Sequence, residues 1–194
     1  VRMSQTRRDV IVGATSMGLG LVLAPRVALS AATHPFSLGV ASGEPWPEGV
    51  VLWTRLLRDP LAPDGGMGIS PMEGTWEVAR DEHMKDVVRS GVTLAMADVA
   101  HSVHLEVMGL EPARWYWYRF RAQGVESPIG RTRTAPTPGA ALSSMSFAAA
   151  CCQHWMYGNW AAYRRMVEEK IDFILHLGDY IYEAPSSSPA AVKQ

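Results

Sequence analysis

A β-sandwich of the immunoglobulin or fibronectin-III kind, followed by the first βαβ unit of an incomplete α/β domain, is the fold class this sequence predicts. Three observations carry it. Residues 34–134 break into short alternating segments closed by turn residues about every dozen positions. A Pro/Gly/Ala stretch follows at 135–144. Beyond it the pattern changes to a continuous apolar run, a helical period and a second apolar run.

Composition narrows the class. With 194 residues, 47% hydrophobic and 19% charged, the chain is globular and long enough for one domain, or for one domain and a piece of another. A net charge of −1 carries no signature of nucleic-acid or anionic-membrane binding. Seven tryptophans suit sandwich cores and aromatic-walled sites. The two cysteines, Cys151 and Cys152, are neighbours, so no disulfide framework exists. Two readings stay open for them: a free thiolate able to ligate a metal, or small apolar residues inside a buried strand.

The N-terminus reads as a signal peptide over 1–32. Arg7-Arg8 precede an apolar Gly/Ala-rich stretch from Gly13 to Leu23, and Ala28-Leu-Ser30 and Ser30-Ala-Ala32 offer small-residue exits. The paired arginines resemble a twin-arginine signal, read by that export machinery, with an ordinary Sec signal as the alternative. Pro25 and Arg26 close the run too early for a stable membrane span. The expected location is exported, periplasmic or extracellular.

The sandwich occupies 34–134. Phe36–Ala41 is read as a strand and Ser42–Gly49 as a turn. Val50–Leu57 and Gly74–Arg80 are strands, and Val87–Leu94 is read as two short ones. Ser102–Met108 alternates with Val103, Leu105 and Val107 on one face, and Arg114–Arg121 alternates likewise. Leu110-Glu-Pro112 before Tyr116 has the pattern of a tyrosine corner, giving Tyr116 a structural role. His101 and His104 face opposite sides and do not make a metal pair.

After the linker, Met145–Cys152 is a continuous apolar strand expected to be covered on both faces. Asn159 caps a helix with Trp160, Tyr163, Val167 and Ile171 along one side. Phe173–Leu177 is the second strand, ending in Gly178-Asp179. Parallel pairing brings Cys152 and Asp179 to one edge of the sheet, where α/β folds place ligands. Tyr182 adds a phenol three residues on; its other reading is a packed aromatic, and that of Asp179 a turn cap. His176 is expected to pack in the core. Ala184 onward reads as a loop or tail. Two strands and a helix leave a large apolar face uncovered, so the chain is expected to be part of something longer.

Phe36-Ser-Leu-Gly-Val-Ala-Ser-Gly-Glu-Pro45 with Val51-Leu-Trp-Thr-Arg-Leu56 resembles the opening of PhoD-like alkaline phosphatases. Ala150-Cys-Cys-Gln153, Tyr163 and His176-Leu-Gly-Asp-Tyr-Ile-Tyr-Glu183 resemble the start of their calcineurin-like metallophosphoesterase domain. The resemblance implies a truncated metallophosphatase domain from 145 to 194. It implies metal-dependent hydrolysis of phosphate mono- or diesters in the intact parent, with Fe3+ and Ca2+ as cofactors. Cys152 is then an iron ligand, Asp179 a bridge between iron and a divalent ion, and Tyr182 a phenolate ligand to iron. Cys151 is assigned a structural role. The superfamily's later Asn-His block and further histidines do not occur in these residues, so the fragment by itself is expected to be inactive. The competing reading is an exported β-sandwich binding module with a degenerate phosphatase remnant. A purple-acid-type phosphatase is set apart by Cys152, where that class has histidine or aspartate.

Overall fold

The computed structural model describes residues 34–60, 62, 64–153, 160–169, 171–180 and 182. The signal peptide expected at 1–32, the Asn159 cap and the tail after 183 lie outside the described residues. No helix among the described residues is long and apolar enough to cross a membrane.

Two antiparallel sheets form the sandwich. β1 (Val40–Trp46), β2 (Gly49–Arg55) and β5 (Ser102–Met108) make a three-stranded sheet in the order β1-β2-β5. The second sheet holds β3 (Met72–Ala79), β4 (Val87–Ala95), β6 (Trp115–Ala122), β7 (Val125–Glu126) and β8 (Gly130–Arg133). Its order is β4-β3-β6-β7, with β8 also paired to β6. Because β4 pairs with β3, the strands do not divide as in an immunoglobulin constant domain, whose fourth strand joins the other sheet.

The core lies between the sheets. Val50 and Leu52 of β2 and Val103 and Val107 of β5 face Val78, Tyr116, Tyr118 and Phe120 of the second sheet. β6 alternates strictly, with Tyr116, Tyr118, Phe120 and Ala122 inward and Trp115, Trp117, Arg119 and Arg121 outward. Period-2 patterning thus sorts this strand's aromatic rings onto the core face. Burial of a ring such as Phe120 is worth about 2 kcal/mol. Burial also pushes the Tyr118 phenol up to about 12. The Tyr116 corner forms as expected: its phenol oxygen accepts a hydrogen bond from the Glu111 N–H at 2.8 Å.

Three local expectations change. Residues 35–38 form a turn rather than a strand, closed by Ser37 N–H to His34 O and Gly39 N–H to Phe36 O. Phe36 is buried from that turn, and β1 runs on through Ser42–Trp46, the stretch read as a turn. A register shift between Gly43 and Trp46, with Glu44 at φ 45°, accommodates Pro45 on this edge strand. Val87–Ala95 is one strand, not two. Gly91 lies opposite Trp76, and a Cβ there would sit 2.9 Å from the indole, so the glycine makes room for the ring without ending the strand. His101 precedes β5 and is buried, its Nε2 3.0 Å from the Ser70 carbonyl oxygen.

Beyond the linker, β9 (Phe147–Ala150) and β10 (Phe173–His176) pair in parallel, with α1 (Ala161–Glu168) between them in sequence. β9 is shorter than expected and ends before the cysteines. Both cysteines are exposed and outside any disulfide, which overturns the buried-strand reading. The run Met145–Cys152 was expected to be covered on both faces, yet Met145 and Phe147 are exposed; Ile174, Leu175 and Leu177 are exposed as well, as an uncovered apolar face requires. α1 buries no residue; Val167 is 78% exposed and Ile171 falls after the helix. Trp160, at φ 55°, stands at the N-cap without a side-chain cap bond.

Candidate metal centre

Parallel pairing fixes the rim. Phe173, Ile174, Leu175 and His176 register with Phe147, Ala148, Ala149 and Ala150. The ladder continues past both strands: Leu177 N–H donates to Ala150 O (2.8 Å), Cys152 N–H to Gly178 O (3.1 Å) and Gln153 N–H to Asp179 O (2.9 Å). Cys152 and Asp179, 27 residues apart, therefore meet through the main chain at the carboxyl ends of the strands.

Both residues sit in left-handed conformations, Cys152 at φ 55° and Asp179 at φ 52°, with Gly178 at φ 132°. Such backbone is uncommon outside glycine, more so for cysteine than for aspartate, and it collects at functional sites. Here it turns each chain out of the sheet where its side chain meets the other.

One carboxylate oxygen gathers the side chains. The Cys152 thiol donates to Asp179 Oδ2 across 3.5 Å, and the Tyr182 hydroxyl donates to the same oxygen across 2.9 Å. Tyr182 stays 42% exposed, so the rim opens to solvent. The Cys152 thiol is held above its usual range: a hydrogen bond from Tyr182 pulls it down, but contacts with Cys151 and Asp179, then desolvation, outweigh it. The Tyr182 phenol is pushed up, first by Cys152 and then by Asp179. Each proton stays on its donor because a neighbouring anion would otherwise stand against a second negative charge.

All three residues singled out in the sequence thus come together. Thiolate, phenolate and carboxylate are anionic donors that suit a ferric ion, so the donor set fits the metal that the sequence resemblance implies. Among the described residues no group of three or more His, Cys, Asp and Glu is placed to hold a metal. His176 is half-buried rather than in the core; its ring lies edge-on to Tyr180 at 4.8 Å and its Nε2 is 3.5 Å from the Tyr163 hydroxyl. This aromatic cluster beside the rim was not read from the sequence, although Tyr180 adjoins Asp179 and Tyr163 lies on the expected helix face.

Fold and rim together define a class: a β-sandwich leading into a strand pair that presents sulfur and oxygen donors at its edge. The chain belongs to the PhoD-like phosphatase family. Residues 22–136 match the family's N-terminal domain and residues 147–194 match the PhoD-like phosphatase model. Over 187 residues the chain is 47% identical to alkaline phosphatase D of Bacillus subtilis (strain 168), covering 91% of this chain and 32% of that protein. A solved structure of PhoD matches with 50% identity and a TM-score of 0.75, over 78% of this chain and 29% of that one. The chain therefore spans about a third of the length of the curated relative it matches.

Proposed function

We propose that the whole protein is a metal-dependent phosphoric ester hydrolase, an alkaline phosphatase acting on mono- or diesters, and that this chain supplies part of its metal site. The observation that carries the reading is the meeting of the Cys152 thiol and the Tyr182 hydroxyl on Asp179 Oδ2. Family membership and the relative named alkaline phosphatase D support the reaction class.

In this reading Cys152 and Tyr182 would hold Fe3+, and Asp179 would offer carboxylate oxygens to Fe3+ and Ca2+. When bound, the metals would supply Lewis acidity and neutralise charge on the phosphate oxygens. The chain's own residues orient and charge the rim: Cys152 and Asp179 are set by the main-chain ladder, and Tyr182 is steered by its hydrogen bond to Asp179. In this reading the remaining ligands would come from the portion of the relatives that this chain does not span, and these 194 residues alone are expected not to hydrolyse esters. The domain plan is a signal at 1–32, a sandwich at 34–134, a linker at 135–144 and the start of the metallophosphatase domain at 145–194. Arg7-Arg8 before an apolar run support export by the twin-arginine route, which carries folded proteins with cofactors bound.

The test is hydrolysis of p-nitrophenyl phosphate and bis(p-nitrophenyl) phosphate at alkaline pH, with iron quantified, in the whole protein and its Cys152→Ser, Asp179→Asn and Tyr182→Phe variants. Each variant is expected to lose iron and activity together. Undiminished hydrolysis by Asp179→Asn would sink the reading.

A further inference from the structure

The donor rim occupies one end of β9 and β10; the opposite end is tied to the sandwich. Asp172, immediately before β10, makes that tie. Its N–H donates to Ser146 O (2.8 Å), and its Oδ2 accepts from Ser146 N–H (3.0 Å), which closes the two strand starts on each other. Its Oδ1 accepts from Nη1 of Arg133, 39 residues earlier in the chain, at the end of β8. Arg133 lies opposite Trp115 in the β6–β8 register, its guanidinium carbon 5.5 Å from the indole centre, while that of Arg131 lies 4.4 Å from it.

Among the described residues, Arg133–Asp172 is the one ion pair that joins the sandwich to the strand pair. The two side chains are 31% and 20% exposed, against 80% and 61% for the helix-surface pair Arg165–Glu168. Partial burial strengthens a charge pair that would count for little on the surface. A cleft of about 280 Å³ opens at this joint, lined by Pro45, Pro136, Met145 and Phe173 together with the pair itself. The Asp172 carboxyl is held below its usual range, first by the Ser146 N–H and then, against some desolvation, by Arg133.

We propose that Arg133 and Asp172 form a latch seating the β9–β10 pair on the sandwich, and that Asp172 thereby acts as a positioning residue for the Cys152–Asp179–Tyr182 rim. Its importance for catalysis rests on the metal reading above, but the latch itself does not. At some 3.3 Å per residue the rim lies about 20 Å from Asp172, so no direct contact is involved. The connection runs through the continuous ladder from Ser146–Asp172 to Gln153–Asp179. Loosening one end of a two-stranded sheet, which has no further strand to lean on among the described residues, loosens the other.

The experiment uses the chain in a Cys151→Ser background, so that Cys152 alone reports. Asp172→Asn, Arg133→Ala and Arg133→Lys are compared by amide hydrogen exchange and by the rate of Cys152 alkylation with iodoacetamide. Asp172→Asn and Arg133→Ala are expected to speed exchange at 148–150 and 174–177 about tenfold and to change the alkylation rate several-fold, with Arg133→Lys recovering part of both. Amides of Val50, Leu52 and Phe120 should keep their protection, which controls for global unfolding. Unchanged exchange in β9 and β10 would overturn the latch. Faster exchange with unchanged Cys152 alkylation would overturn the positioning role. Neither readout needs a metal, so failure here is distinct from an active Asp179→Asn enzyme, which would overturn the metal reading alone.

Discussion

The sandwich and the strand pair put similar residues to opposite uses. In the sandwich, tyrosine and phenylalanine rings on β6 are 1–2% exposed, and Tyr116 ties its hydroxyl to a backbone N–H. In the strand pair, Phe147, Leu175 and Leu177 face outward, and Tyr182 sends its hydroxyl to a carboxylate at an open edge. The sandwich closes its core within itself. The strand pair instead collects three groups that each favour a positive partner. A residue type therefore says little about its role until the cover around it is known: the same phenol is a corner brace at 116 and a candidate ligand at 182.

Away from the Arg133–Asp172 pair, substitutions that break one region should leave the other largely unmoved. The largest effect is expected for Phe120→Ala, which empties a fully packed site and should cost about 3–5 kcal/mol in chemical denaturation, whereas Leu175→Ala, already 44% exposed, should cost under about 1 kcal/mol. Equal losses would mean that the strand pair is as well packed as the sandwich. Asp179→Asn comes next: ferric-ion binding by the whole protein, followed by iron content, should weaken by more than the roughly 10- to 100-fold that losing an outer-shell partner costs, with the denaturation midpoint of the sandwich unchanged. Tyr116→Phe should do the reverse, costing about 1 kcal/mol in stability with no change in iron content.

The smallest expected effect is on acid response. The Asp172 carboxyl is depressed below its ordinary 3.8, so its contribution to folding is complete above that value and lost as pH falls through the lower, folded value. Protection of the β9 and β10 amides should thus differ most between the parent and Asp172→Asn near neutral pH, and the parent should fall toward the variant's lower level in strong acid. Parallel acid profiles would remove Asp172 from the account of that loss.

Legibility in the sequence followed the same division. β5 and β6 announce themselves because one covered face and one open face write a period of 2 into the chain. Tyr116 was readable from Leu110-Glu-Pro112 because a corner is a local motif. The Cys152–Asp179 meeting was readable because a parallel pair aligns strand ends whatever the intervening helix does, and Tyr182 stands three residues beyond Asp179. What escaped depends on partners that are distant in sequence. Gly91 looked like a strand break until Trp76 was seen lying over it, and Pro45 looked like a turn until the bulge at Glu44 carried it along an edge. Arg133 and Asp172 carry no periodicity that links them across 39 residues. The apolar run before Cys151 signalled double cover, a property of neighbouring strands that two strands cannot supply to each other.

The bonds from Cys152 N–H to Gly178 O and from Gln153 N–H to Asp179 O hold the rim through peptide groups alone. Side-chain identity at 152 and 179 is therefore separable from the scaffold, subject to tolerance of the left-handed backbone. The same loop pair is able to present imidazole, thiolate or carboxylate without being rebuilt. On the metal reading proposed above, exchanging donors there would retune which ion is preferred while the frame stays as it is.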